Sequence, residues 1–149
     1  MKNKLKFFIS IFFLCIFEAN TFAVEDFIFE SKSIEIEKDN ILTAKDGVKA
    51  TTFDGLEFFA DEFEYNKNTK ILELKSNVKI FDRIQNIEIS SDKITYNKPL
   101  EKITSQNNTK IEIDNSHVMS GENIIFFKSK SKIQSNEPSK IRDRFNNEI

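Results

Sequence analysis

The chain has 149 residues, with 22 Lys and Arg against 24 Asp and Glu and a formal net charge of −2. This length suits one domain, and the balanced charge excludes a broad basic field, so no nucleic-acid partner is expected. Only three Gly and two Pro occur and 39% of the residues are hydrophobic, which excludes a low-complexity chain and allows a packed core.

Residues 1–23 have the features of a secretory signal peptide. Three lysines within residues 1–6 form a positive start, and residues 7–17 are an uncharged apolar run that is too short to span a bilayer comfortably. Thr21 and Ala23 place small residues at the −3 and −1 positions of a cleavage site. We expect cleavage after Ala23, rather than an uncleaved N-terminal anchor, and export to the periplasm.

The one cysteine, Cys15, lies inside this apolar run. Leu14 precedes it, whereas a lipoprotein signal needs a small residue there, so lipidation is not expected. A mature chain that starts at Val24 has no disulfide, thiol nucleophile or cysteine metal site. It has four more acidic than basic residues. We expect neither a metal nor a cofactor.

The rest of the chain alternates apolar and polar residues with a period of two. Residues 34–37 read Ile-Glu-Ile-Glu, and similar runs occupy 63–65, 87–89, 94–96 and 111–113. This period places apolar side chains on one face of a strand, and Ile, Val, Phe, Tyr and Thr are typical of strands. No helical periodicity follows residue 23, so the pattern predicts an all-β fold.

The apolar pairs recur with a period near 30 residues. Four pairs are 29, 31 and 30 residues apart: Ile34/Ile36, Phe63/Tyr65, Ile94/Tyr96 and Ile124/Phe126. Another pair stands seven residues before each of them: Phe27/Phe29, Leu56/Phe58, Ile87/Ile89 and His117/Met119. Each unit holds roughly four short strands, and stacked units share a core that one unit could not bury.

Turn residues such as Asp46-Gly47 and Asn97-Lys98-Pro99 separate the runs. We predict a β-jellyroll, or folded antiparallel sheet, built over residues 24–141 from four repeats of ~30 residues. It is open at both edges, where bare strands need a cap or join another protein by strand addition. Residues 142–149 are expected to be a C-terminal tail or the start of a linker.

No pattern indicates an enzyme, and we predict no catalytic residue. His117 is the only histidine, and no serine–acid pair is placed to use it as a base, so a structural role at a strand end is preferred. The acidic residues that recur between strands lie a repeat apart among lysines, and we interpret them as solvated strand ends rather than acid–base pairs or Ca²⁺ ligands: Asp61, Glu62, Asp92 and Glu122.

The repeat resembles that of the OstA-like family of lipopolysaccharide-transport proteins. In that family a small or acidic pair precedes an alternating strand, and a Gly/Asn-Val strand follows a turn. Residues 60–66 read Ala-Asp-Glu-Phe-Glu-Tyr-Asn and residues 76–80 read Ser-Asn-Val-Lys-Ile. The other units give their own versions at 46–50, 90–97, 107–111 and 120–126.

The resemblance implies a β-jellyroll whose apolar groove holds the acyl chains of lipopolysaccharide and whose edges join other OstA-like (Lpt) proteins into a bridge to the outer membrane. Two kinds of member remain open. One is a free-standing periplasmic protein such as LptA. The other is the N-terminal domain of an LptD-like protein, which would have an outer-membrane β-barrel as a further partner. The cysteines common in LptD are missing from residues 24–149.

A row of similar apolar sites would let a lipid slide without returning to water. Burying one methylene contributes about 0.8 kcal/mol, so hiding ~20 of them would give roughly 16 kcal/mol, near the ceiling of non-covalent affinity. Core packing is the competing interpretation of each lining candidate. These candidates are Phe27, Phe29, Ile34, Ile36, Leu56, Phe58, Phe63, Tyr65, Ile87, Ile89, Ile94, Tyr96, Ile111, Ile113, Ile124 and Phe126.

Two other functions compete with lipid transport. A structural β-solenoid, such as an adhesin or surface passenger, should have a filled core with no room for lipid. A carbohydrate-active β-helix enzyme should cluster its acids on one strip. Whether the apolar interior is open or closed distinguishes a lipid carrier from the structural module.

Overall fold

The computed structural model describes residues 26–37 and 40–149, so the expected signal peptide lies outside the described residues. The described residues form twelve strands and one short 3₁₀ helix, Lys128–Lys130. The strands are β1 (Ile28–Glu37), β2 (Ile41–Thr51), β3 (Leu56–Ala60), β4 (Glu62–Asn66), β5 (Ile71–Asp82), β6 (Ile87–Asn97), β7 (Lys102–Gln106), β8 (Thr109–Ile113), β9 (His117–Gly121), β10 (Ile124–Phe127), β11 (Lys132–Ser135) and β12 (Ser139–Asp143).

All strand pairs are antiparallel and form one folded sheet. The fold divides it into two layers, and the long strands β1, β2, β5 and β6 pass through both. Layer one has the order β1 (28–31), β2 (48–51), β3, β5 (78–82), β6 (87–91), β8, β9, β12. Layer two has the order β1 (33–37), β2 (41–45), β4, β5 (71–75), β6 (93–97), β7, β10, β11.

The chain passes between the layers at one common edge, which we call the fold line. Its residues include the pairs at 46–47, 76–77 and 107–108, all of which have left-handed backbone angles, and Asn123. Asp46 and Gly47 have φ of 65° and 85°, and Asn107 and Asn108 have φ of 60° and 38°. Gly, Asn and Asp adopt this region at the lowest cost, which explains why turn-type residues recur inside runs that otherwise favour strands.

Acidic side chains from neighbouring strands hold the fold line together. Asn77 Nδ2 donates to the Asp61 carboxylate at 2.7 Å, and Asn108 Nδ2 donates to the Asp92 carboxylate at 2.7 Å. The Asp61 backbone N–H also donates to the carbonyl of Ser76 at 3.0 Å. Asp61 and Asp92 are exposed, as expected, but Asp92 lies inside β6 and not at a strand end. Both carboxylates bind left-handed residues of the fold line.

The structure confirms the all-β folded sheet and explains the seven-residue offset in the sequence. Leu56 and Phe58 lie in layer one, whereas Phe63 and Tyr65 lie in layer two, after the chain has crossed the fold line. The same crossing separates 87/89 from 94/96. The offset is therefore the distance between inward positions on either side of the fold.

The inner faces of both layers form one cluster of buried apolar residues. A small group of hydroxyls is buried with it in the third repeat, where Ser91 Oγ contacts the carbonyls of Gln106 and Asn107 at 2.9 and 2.8 Å. Thr109 Oγ1 donates to Ser105 Oγ at 2.8 Å. These partners satisfy the buried polar atoms locally. No helix in the described part of the chain is long and apolar enough to cross a membrane.

The fold line gives a stability prediction at Asn108. Replacing Asn108 with Ala removes the bond to Asp92, and Ala adopts a left-handed φ less readily than Asn does, so we expect the free energy of unfolding to fall by about 1–2 kcal/mol. Asn108→Gly loses the same bond without the backbone cost and should lose less. Urea unfolding of both variants checks this, and equal losses would contradict a backbone cost at this position.

Candidate functional site

The candidate site is the apolar interior between the layers. Twelve of the sixteen lining candidates are buried there: Phe27, Leu56, Phe58, Phe63, Tyr65, Ile87, Ile89, Ile94, Tyr96, Ile111, Ile124 and Phe126. Phe29 and Ile113 are half-buried and pack against this cluster. Ile34 and Ile36 are 41% and 72% exposed.

The exposure of Ile34 and Ile36 comes from their place at the N-terminal edge, not from an outward orientation. They lie opposite Ala44 and Leu42, both buried, and residues directly opposite in a strand pair share a face. In the described chain β1 pairs only with β2, so no next strand covers them. At the other end, Ile141 lies opposite the buried Met119 and is 41% exposed. Among the described residues, the apolar inner face is thus partly exposed at both ends.

The middle of the interior is filled, chiefly by aromatic rings from both layers. Phe27 has its ring centroid 5.9 Å from that of Phe58 in layer one, and 4.9 and 6.1 Å from those of Tyr65 and Tyr96 in layer two. Phe58 and Tyr96 are 5.2 Å apart. The layers are therefore in direct contact here, and a guest molecule would have to displace these rings.

The side of the interior opposite the fold line is a mouth between two rows of turns. Lip one, at the ends of layer one, consists of the turns at 52–55, 83–86 and 114–116. Lip two, at the ends of layer two, consists of Asn40 and the turns at 67–70, 98–101 and 128–131. Within a lip, backbone bonds join successive turns, as from Lys98 N–H to the Lys70 carbonyl at 3.2 Å.

Asp26 makes the first bridge across the mouth. It precedes the layer-one part of β1, yet its carboxylate accepts from Lys98 Nζ at 2.7 Å and Lys70 Nζ at 3.1 Å in lip two. The Tyr65 hydroxyl donates to it at 3.2 Å, and Lys98 Nζ lies 5.3 Å from the ring centre of Phe27. The hydrogen bond from Lys98 lowers the pKa of Asp26 below its ordinary value against the opposing effect of burial, and Lys70 acts in the same direction.

A second bridge joins the lips further along the mouth. Lys128 in lip two binds the Asp54 carboxylate in lip one, and its ammonium side chain is only 11% exposed. Gln85 Nε2 donates to the Lys128 carbonyl at 3.0 Å, and Ser131 Oγ donates to Gln85 Oε1 at 2.9 Å. Burial raises the pKa of Asp54, but the hydrogen bonds from Lys128 and Thr52 outweigh it, so the pKa is below its ordinary value.

Several interior positions are missing from the sequence-based candidates. Leu42, Leu72, Leu74 and Ile103 also line the interior, and the alternation of Leu72 with Leu74 was a usable signal for two of them. The bridging residues had no local signal, because Asp26 and Lys98 are 72 positions apart. Within the described residues, no group of three His, Cys, Asp or Glu is placed to hold a metal ion.

This arrangement defines a class of protein: a β-jellyroll of folded repeats whose apolar interior is bordered by a continuous fold line and a bridged mouth. A family model described as OstA-like protein matches residues 21–141. The chain therefore belongs to the OstA-like protein family.

Its fold is also that of a solved structure. The crystal structure of LptH from Pseudomonas aeruginosa, described as the LptA homologous periplasmic component of the conserved lipopolysaccharide transport device, matches with a TM-score of 0.67. The two chains are 11% identical over 75% of this chain and 82% of that one. At this identity the likeness shows the fold. No curated protein sequence matches the chain.

The first bridge gives a pH prediction. Because the folded-state pKa of Asp26 is lowered from 3.8, its stabilisation is present above the unfolded pKa and is lost as pH falls through the folded value. We expect Asp26→Asn to lower the free energy of unfolding at pH 7 by up to about 1 kcal/mol. This difference from wild type should shrink below pH 3.8. Urea unfolding between pH 7 and 3 measures it; an unchanged difference would contradict the ion pair.

Proposed function

We propose that this protein is a periplasmic carrier of lipopolysaccharide that holds acyl chains against its apolar interior and passes them to proteins joined at its sheet edges. The observation that carries this proposal is the apolar inner face that continues to an uncovered end at Ile34 and Ile36. Membership of the OstA-like family supports it, as does the fold shared with LptH. The proposed role is binding and transfer, without catalysis.

The two sides of the interior differ in how firmly they are held. The fold line is continuous backbone, whereas the lips are joined by side chains from the turns and by Asp26. Partly exposed ion pairs contribute about 0–1 kcal/mol each, while each buried methylene of a guest contributes about 0.8 kcal/mol. Burial of a few methylenes therefore offsets the cost of opening the lips. Burial of the other methylenes offsets the cost of displacing the aromatic rings.

The bare edge of β1 supports joining to other OstA-like proteins. The outer side of β1 has no partner strand in the described chain, and a strand added there would cover Ile34 and Ile36. The apolar inner face would then run on into the neighbour. This gives lipid a path that avoids water.

The proposal also covers export of the chain and the kind of OstA-like protein to which it belongs. We propose cleavage after Ala23 and folding of residues 24–141 in the periplasm, which the mass of the exported chain tests. A free-standing LptA-like protein and an LptD-like N-terminal domain would use the same interior and edges. In the second case an outer-membrane β-barrel is the additional partner.

A structural β-solenoid module is the second candidate, and one observation favours it. The contact between Phe58 and Tyr96, at 5.2 Å between ring centroids, fills the middle of the interior. A module of this kind would keep the rings packed and bind no lipid.

Photo-crosslinking distinguishes the two candidates. A photoreactive phenylalanine derivative replaces Ile36, Phe63 or Ile94 on the inner face, and matched outward controls replace the neighbouring Glu35, Glu64 or Thr95. We expect lipopolysaccharide adducts at the inner positions alone, with the largest yield at Ile36, because it is 72% exposed. A folded protein with no adduct at any inner position would indicate the structural module.

Edge joining has its own prediction. Ile36→Lys places a charge where an added strand would bury it, so we expect end-to-end association to be lost. Ile84→Lys is the control, because Ile84 is 73% exposed on a turn away from either edge. Light scattering over a concentration series should show a rising mass for wild type and the control only. Equal association of both variants would place the contact elsewhere.

A further inference from the structure

Asp26 and Phe27 together have the chemistry of a small anionic amphiphile. At the mouth, the Asp26 carboxylate forms ion pairs with the ammonium groups of Lys98 and Lys70, at 2.7 and 3.1 Å. The adjacent Phe27 ring is 1% exposed and contacts aromatic rings of both layers. A charged group at the lip is thus joined to an apolar group inside.

Two basic groups contact Asp26 in the described part of the chain. The Lys70 and Lys98 ammonium groups and the Tyr65 hydroxyl converge on this carboxylate, so among these contacts two positive charges face one negative charge. A phosphate monoester carries about −1.5 to −2 charges near neutral pH and three strong acceptor oxygens. It would match two ammonium groups and a hydroxyl better than a carboxylate does.

Asp26 and Phe27 lie outside the described strand ladder. The β1–β2 ladder begins at the pair Ile28 and Thr51, and Asp26 and Phe27 precede it. Their displacement costs the bridge and the ring contacts, but no bond of that ladder.

We propose that Asp26 and Phe27 occupy the site of a phosphorylated lipid, and that a phosphate of lipopolysaccharide takes the place of the Asp26 carboxylate on Lys70 and Lys98 while an acyl chain takes the place of Phe27. This inference rests on the proposed function and assigns the anionic end of the lipid to a specific pair of lysines. An internal occupant of this kind lowers the apparent affinity for the ligand by the fraction of time that it holds the site.

The test is equilibrium binding of fluorescent lipid A, with and without its phosphates, to the exported chain in detergent. Asp26→Ala removes the internal carboxylate and should bind phosphorylated lipid A about threefold more tightly. Lys98→Gln should bind it about tenfold more weakly, and should bind dephosphorylated lipid A no more weakly than wild type does. Urea unfolding verifies that each variant is folded.

Matched controls come from ion pairs on the outer faces. Lys93→Gln breaks the pair with Glu73, and Glu57→Gln breaks the pair with Arg83. Neither should change the affinity for either lipid by more than about twofold, since exposed pairs contribute little. A loss with Lys93→Gln equal to that with Lys98→Gln would show general charge attraction and overturn the inference.

The remaining outcomes separate the inference from the function on which it rests. If wild type binds neither lipid, the proposed function fails. If wild type binds lipid A but Asp26→Ala and Lys98→Gln match it, the lysine site fails and lipid carriage stands. If Lys98→Gln weakens binding of phosphatidylglycerol as much as binding of lipid A, the assignment to lipopolysaccharide is overturned.

Discussion

Every strand that passes from one layer to the other must keep its apolar side chains inside on both sides of the fold, and the rest of the structure depends on this constraint. In β5, Leu74 and Val78 are buried while the three residues between them are exposed. Two left-handed residues, Ser76 and Asn77, make the necessary bend. Because the same solution recurs in β2 and at 107–108, all repeats bend at one line and their inner faces form one interior.

This constraint gives the interior two unlike sides. Along the fold line, continuous backbone joins the layers, and the Asp61–Asn77 and Asp92–Asn108 bonds join neighbouring segments of that line. Along the mouth, ion pairs and amide contacts between turns join the layers. Local opening concentrates where few buried apolar contacts and partly exposed polar ones hold a structure. The mouth is therefore the side on which a change of shape costs least.

Sequence reasoning predicted what is local and missed what depends on distant neighbours. The repeat, the strand faces and twelve buried lining positions follow from alternation, since a period of two sets which face a residue occupies. The exposure of Ile34 and Ile36 does not follow from it, because it depends on what covers β1. The mouth could not be predicted either, since Asp54 and Lys128 lie in turns 74 positions apart. The lipid-lining role itself stays a prediction.

The two ends of the sheet are not alike, and this limits the symmetry of any assembly in which copies join end to end. The N-terminal end is one ten-residue strand, β1, that spans both layers. The C-terminal end is two separate strands, β11 and β12, and the residues after β12 fold back on it through a bond from Ile149 N–H to the Ile141 carbonyl at 3.0 Å. Contact between unlike ends is heterologous, so copies joined in this way form a row or a ring and not a closed two-fold pair. Such a row has a polarity, with a different surface at each terminus.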